Sequence, residues 1–188
     1  MDNLEIEEYS SLAGKRRWHL EVANTHWFCQ LKSGTPLFVL GPDYWAFAVS
    51  YIVAGTVIGL MLTLEFELPL YFLGLGRLSR LVYFVGMVCW LLMGVLNPGL
   101  ELRVPSEEEI CRYFNNKNFC RVCEVLRETG TLHCVDCDIC VKGRTKHVIW
   151  IGKCLGRNIK VFYYTFLFCA GWLLLYLTIL TAAAVITN

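Results

Sequence analysis

The chain has 188 residues, 56 % of them hydrophobic, which is too apolar for an ordinary soluble domain, whose apolar share is nearer one half with glycine included. Its 17 basic and 16 acidic residues leave a net charge of +1, so total charge names no partner and only the segregation of charge along the chain is informative. These values exclude the ordinary soluble class and point to a membrane protein.

The opening segment "MDNLEIEEYSSL" is acidic and has no apolar core, so it is neither a secretory signal nor an Arg-rich organellar presequence. Residues 1–43 read as a polar N-terminal arm ending in "SGTPLFVLGPD", in which Gly34, Pro36, Gly41 and Pro42 mark turns that lift the chain to the membrane surface. Three uncharged stretches follow, Tyr44–Leu64, Leu81–Leu100 and Val161–Asn188. Each is about 20 residues or longer, which at about 1.5 Å per residue crosses a hydrocarbon core of about 30 Å. "WAFAVSYIVAGTVIGLMLTL" and "FYYTFLFCAGWLLLYLTILTAAAVI" lack the polar face of a buried helix in a soluble protein. The pattern predicts a polytopic α-helical membrane protein with two transmembrane helices in 44–100, a polar region over 101–160, and a third helix over 161–188.

Residues 101–160 carry eleven Lys or Arg, against two, Arg77 and Arg80, between the first and second stretches. The positive-inside tendency puts that region and the N-terminus on the cytosolic face of an endomembrane or the plasma membrane, with an organellar inner membrane left open. After the second stretch, Asn97-Pro98-Gly99 stops the helix. Ser106 with Glu109 has the spacing of a capping box that opens a short helix through Phe114, with Glu107–Glu109 as its solvated first turn.

The remaining polar residues are organised by cysteine and histidine. Cys120, Cys123, His133 and Cys140 read C-x2-C-x9-H-x6-C, and adding fourteen to each number gives Cys134, Cys137, His147 and Cys154. Three thiolates and one imidazole make a complete tetrahedral zinc set, so the repeat predicts two zinc ions. The repeats overlap. Adjacent residues of an extended chain point to opposite sides, so His133 and Cys134 serve different metals and the two sites interlock. Disulfides need an oxidising compartment and leave two histidines in register unexplained; ordinary buried cysteines give no fourteen-residue repeat. Each Cys3His zinc carries a formal charge of −1. The nearby Lys142, Arg144, Lys146, Lys153, Arg157 and Lys160 offset it, so the basic cluster calls for no nucleic-acid partner. Cys29, Cys89 and Cys169 read as apolar fillers, and His19 and His26 receive no role.

Two membrane helices, the "NPG", this lattice, and then Trp150, Cys154, Gly156, Asn158 and Phe162 entering another helix resemble the DHHC family of protein S-acyltransferases, the palmitoyltransferases. "LFVLGPD" is similar to plant and protist members, and "NPG" to the family's "DPG". The resemblance implies a cytosolic cysteine-rich domain with two structural zincs. It also implies an Asp-His-His-Cys tetrad whose cysteine attacks acyl-CoA as a thiolate while an oriented histidine takes the proton. Carried onto this chain, the tetrad falls on Thr145, Lys146, His147 and Val148. Only His147 is kept, and it is the zinc-ligand position. Threonine offers no carboxylate, lysine is protonated at neutral pH, and valine has no nucleophilic atom. Ile149 in place of proline, Lys153 in place of asparagine, and one residue fewer between Gly156 and Asn158 are further departures.

The family normally has four helices. Three would leave the C-terminus on the non-cytosolic side and an acyl pocket open on one flank for a partner to fill. The expectation is a catalytically inactive, zinc-stabilised membrane scaffold or accessory subunit. Its partners are the lipid bilayer and other membrane proteins in a complex. Two alternatives stand beside it. One is an active S-acyltransferase that uses acyl-CoA with a displaced nucleophile, Cys111 or Cys169; the other is a regulator that binds acyl chains or substrate proteins without turnover, with Trp150, Phe162, Tyr163 and Tyr164 as a candidate surface.

Overall fold

Three uncharged runs become three helices, one of them shifted from its expected place. The computed structural model describes residues 19–31, 35–63, 73–101 and 118–187. Helix α1 is Tyr44–Thr63, α2 is Leu73–Val95 and α3 is Lys160–Thr187. The second was expected at Leu81–Leu100. It starts earlier because Arg77 and Arg80 sit near the helix end, where long cationic side chains reach polar surroundings at modest cost; Arg80 Nε donates to its own helix at Gly76 O, 3.3 Å away. It stops earlier because a residue before proline is disfavoured in the α region, and Asn97 precedes Pro98. Asn97 Oδ1 then accepts the amides of Gly99 (2.8 Å) and Leu100 (3.1 Å), fixing an extended exit in place of a last turn. Among the described residues, Gly74–Val95 and Arg157–Ala183 are long and apolar enough to cross a membrane, and Tyr44–Leu60 is a shorter apolar stretch.

The helices meet at small residues, as membrane helices do when packing replaces a hydrophobic driving force. Gly86 of α2 lies against Cys169 of α3, and Trp172 Nε1 donates to the buried Ser79 hydroxyl at 3.2 Å. Tyr83 Oη donates to Gly55 O of α1 at 2.7 Å.

Residues 19–40 were expected to be a lead-in of turns. Instead, β1 (His19–Val22), β2 (Thr25–Gln30) and β3 (Pro36–Leu40) form an antiparallel meander. Trp27 of β2 is 1 % exposed and packs with Val39, Leu100, Ile139 and Val141, so the sheet shares a core with the cysteine-rich region. Its β1–β2 turn docks on that region through Asn24 Nδ2, which donates to Asp136 O at 3.0 Å. β3 in turn bridges to the exit of α2, pairing Phe38 with Leu96, and Asn97 Nδ2 donates to Pro36 O at 2.8 Å.

Among the described residues there are also three two-stranded hairpins: β4–β5 (Phe119–Cys120, Val125–Leu126), β6–β7 (Leu132–Cys134, Ile139–Val141) and β8–β9 (His147–Val148, Lys153–Cys154). The segment expected as a capped helix through Phe114 lies outside the described residues, as does Cys111.

Candidate metal centre

The fourteen-residue repeat is a repeat of hairpins. Cys120 pairs with Val125 and Cys134 with Ile139, so each C-x2-C knuckle closes one hairpin. The residue after each knuckle, Glu124 and Asp138, takes a left-handed conformation (φ 50° and 51°), the sharp turn that brings two sulfurs to one side. His133 pairs with Cys140 on the second hairpin, and His147 with Cys154 on the third. One set is therefore the knuckle of β4–β5 plus the His–Cys pair of β6–β7. The other is the knuckle of β6–β7 plus the pair of β8–β9. Adjacent His133 and Cys134 face different sets, as strand alternation requires.

In each set the four ligand atoms lie within 4.8 Å of one another. Zn–S bonds of about 2.3 Å and Zn–N bonds of about 2.0 Å at tetrahedral angles imply S···S edges of about 3.8 Å and S···N edges of about 3.5 Å. The second set shows Cys137 Sγ to Cys154 Sγ at 3.8 Å, and His147 Nδ1 to the sulfurs of Cys134, Cys137 and Cys154 at 3.6, 3.4 and 3.7 Å. The first shows Cys123 Sγ to His133 Nδ1 at 3.2 Å. The donor sets fit zinc, and each can hold one ion. The crowded thiols already share protons unevenly. A hydrogen bond from Cys137 holds Cys154 down at about 5 against the opposing effect of burial, and that same bond, with burial, pushes Cys137 up. Cys123 is held down at about 6 by a bond from Cys140, which is pushed up in turn.

The surroundings of the second set contain residues that spacing did not single out. Arg144 Nε lies 3.3 Å from Cys154 Sγ and its terminal nitrogen 3.7 Å from Cys134 Sγ, so one cation of the basic cluster offsets the sulfur charge directly. Lys153, expected to do the same, does not. It is 1 % exposed, and Nζ donates to Val39 O and Leu96 O at 2.6 Å each, tying β3 and the exit of α2 to β9. Burial pushes its amine well below the usual lysine range, and either protonation state supplies the two donors. Asp43 was also missed: its carboxylate lies 2.8 Å from His147 Nε2. The available signal was an acid just before an apolar helix, which reads by default as a helix cap.

The tetrad positions are occupied by structural contacts. Thr145 Oγ1 donates to Leu155 O at 3.2 Å, and Lys146 is exposed. Val148 is 4 % exposed and packs among Phe47, Trp90, Met93, Ile151, Leu155 and Ile159. Trp150 O, just beyond, accepts Trp90 Nε1 at 3.2 Å and the Ser50 hydroxyl at 3.4 Å. Beside Trp150 opens a crevice of about 620 Å³ between α1 and α3, lined by Ser50, Val53, Ala54, Val57, Ile58, Trp90, Trp150 and Phe166. Cys89 and Cys169 are buried in the helices, as expected of fillers.

Residues 113–188 match the family model for DHHC palmitoyltransferase. The palmitoyltransferase ZDHHC4 of Rattus norvegicus is 30 % identical over 124 residues, 64 % of this chain and 33 % of that protein. Palmitoyltransferase erf2 of Schizosaccharomyces pombe is 37 % identical over 65 residues, covering 35 % of this chain and 19 % of its own length. The palmitoyltransferase ZDHHC18 of Homo sapiens is 34 % identical over 70 residues, 37 % and 17 % of the respective chains. The matched stretches thus span at most 33 % of these relatives. Residues 113–188 are thus a DHHC palmitoyltransferase domain, of a family of membrane proteins, and the chain brings together two Cys3His clusters.

Proposed function

We propose that this chain is a catalytically inactive DHHC-family protein, a zinc-stabilised membrane scaffold or accessory subunit. The observation that carries the reading is Val148, an apolar side chain packed into the core at the position where the family keeps its cysteine. Thr145 and Lys146 add no carboxylate and no free base, and His147 is engaged at both ring nitrogens. The three helices span the membrane with the cysteine-rich domain on the cytosolic face, and the two zincs are held by Cys120, Cys123, His133 and Cys140 and by Cys134, Cys137, His147 and Cys154. The domain limits are 1–43, 44–100, 101–160 and 161–188, the sheet of β1–β3 packing on the third of these. The chain's partners are the lipid bilayer and other membrane proteins.

A second reading rests on the crevice beside Trp150, whose apolar lining suits an acyl chain held without turnover. The test is incubation of the full chain in mild detergent with labelled long-chain acyl-CoA, then neutral hydroxylamine and peptide mapping. No thioester label is expected at residues 145–148. Stoichiometric label on Cys111 or Cys169 that passes to a second protein would replace the scaffold reading with a relocated nucleophile; saturable but non-covalent retention of the acyl chain would favour the second reading.

A further inference from the structure

Asp43 stands where three structures meet. Its carbonyl accepts the Phe47 amide at 3.1 Å, an opening hydrogen bond of α1, and its own amide donates to Gly152 O at 3.3 Å. Gly152 has φ 79° and lies in the loop of the β8–β9 hairpin. Gly41 is seated so closely on it that an added Cβ would stand 2.1 Å from Gly152 O. That approach carries the Asp43 carboxylate to His147, 104 residues away in sequence, with Oδ2 at 2.8 Å from Nε2. The other ring nitrogen, Nδ1, faces Cys134, Cys137 and Cys154. An imidazole that donates Nε2–H to a carboxylate keeps its Nδ1 lone pair free for a metal, and the carboxylate makes that nitrogen more basic.

The two sets are not equivalent in this respect. His133 Nε2 faces Asp138 at 3.5 Å, a half-exposed acid five residues away within the same hairpin. His147 is only 9 % exposed; the exposed Asp136 lies 3.8 Å from its sulfur-facing Nδ1, and the acid at Nε2 comes from the start of α1.

We propose that Asp43 is the positioning residue for the metal ligand His147. Through it, a metal at Cys134–Cys137–His147–Cys154 latches the cytosolic end of α1 onto the cysteine-rich domain. Binding at that set and seating of α1 are coupled, and because coupling is reciprocal, loosening either loosens the other. The first set takes its acid from its own hairpin and is linked to α1 only indirectly, through the shared strand β6. The inference stands whether or not the chain turns over acyl groups.

The test uses the full chain in mild detergent with cadmium-113 in place of zinc, so that each Cys3His set gives its own magnetic resonance signal. Asp43→Asn keeps the side-chain shape and an acceptor but removes the charge. One of the two signals is expected to shift while the other stays fixed. In a chelator competition on the zinc-loaded protein, the first equivalent of zinc is expected to leave at roughly ten- to a hundredfold lower chelator concentration than in the parent. Asp138→Asn is expected to move the other signal. If Asp43→Asn does not accumulate as folded protein, Asp43→Glu, which keeps the charge one methylene further out, reports the same quantity. Two unmoved signals with an unchanged competition curve, or equal changes at both sets, overturn the proposal.

Discussion

Val148 is the side chain on which the proposed loss of chemistry turns. It lies between His147, turned toward the sulfurs, and Ile149, which is exposed, and it points into the cluster of Phe47, Trp90, Met93 and Ile159. A thiol placed there would inherit that burial, which raises its pKa above the reference of about 8.5, and the Lys153 amine paired across the hairpin is committed to Val39 O and Leu96 O. His147 is held at one nitrogen by Asp43 and aimed at the metal set with the other. Val148→Cys is therefore expected to leave transfer of labelled acyl groups at background. Turnover comparable to an active relative would mean that the surrounding site is still organised for catalysis. At this scale the grouping of eight cysteines and histidines into two sets was legible, because one spacing rule joins them and the fold brings each four together. Lys153 and Asp43 were not. The charge pattern grouped the first with the cations that offset the zinc charge and gave the second no role, and only the folded chain puts one beneath β3 and the other against a histidine 104 residues away.

The β1–β3 sheet shows what short elements conceal. "HLEV", "THWFCQ" and "PLFVL" are 4, 6 and 5 residues long, too short for alternation to stand out, and the glycines and prolines around them dominate the reading. What makes the sheet part of the domain is Trp27. Its ring lies in one core with Cys134, Cys137 and Cys154, and its Nε1 donates to the Thr25 hydroxyl at 2.7 Å, which donates to Val22 O at 2.8 Å. Trp27→Ala removes that ring from a site with no room to collapse, at a cost of roughly 3–5 kcal/mol. The expected result is a lower thermal midpoint in detergent together with early proteolysis between residues 19 and 40. An unchanged midpoint would mean that the sheet is an appendage of the domain. The second helix was found but misplaced for a related reason: absence of charge marked its apolar body, whereas its ends are set by two arginines near one end and an asparagine–proline pair at the other.

For the whole molecule, the metal sets are what hold the pieces to one another. Among its described residues the cysteine-rich region has little regular structure besides two- and three-residue strands, and short hairpins of this kind are marginal alone. Structural zinc sites of this type contribute roughly 10–16 kcal/mol of apparent binding energy at neutral pH, so metal binding and folding of the three hairpins are one event. Two zincs per chain are the expected elemental content. Because β6 carries a ligand of each set at adjacent positions, loss of one ion frees a strand that the other needs. His147→Ala tests this directly. It deletes one ligand, strands Asp43 at the start of α1 without its partner, and removes the imidazole that faces the Cys154 sulfur across the third hairpin. The second ion is expected to be lost outright and the first to be held more weakly than in the parent. Cleavage by protease would then spread through residues 118–156, while α2 and α3, packed through Gly86 and Ser79, stay intact. A variant that kept both zincs and the parent's protease resistance would show that His147 is not a ligand, and the interlocked arrangement would have to be redrawn around a different fourth donor.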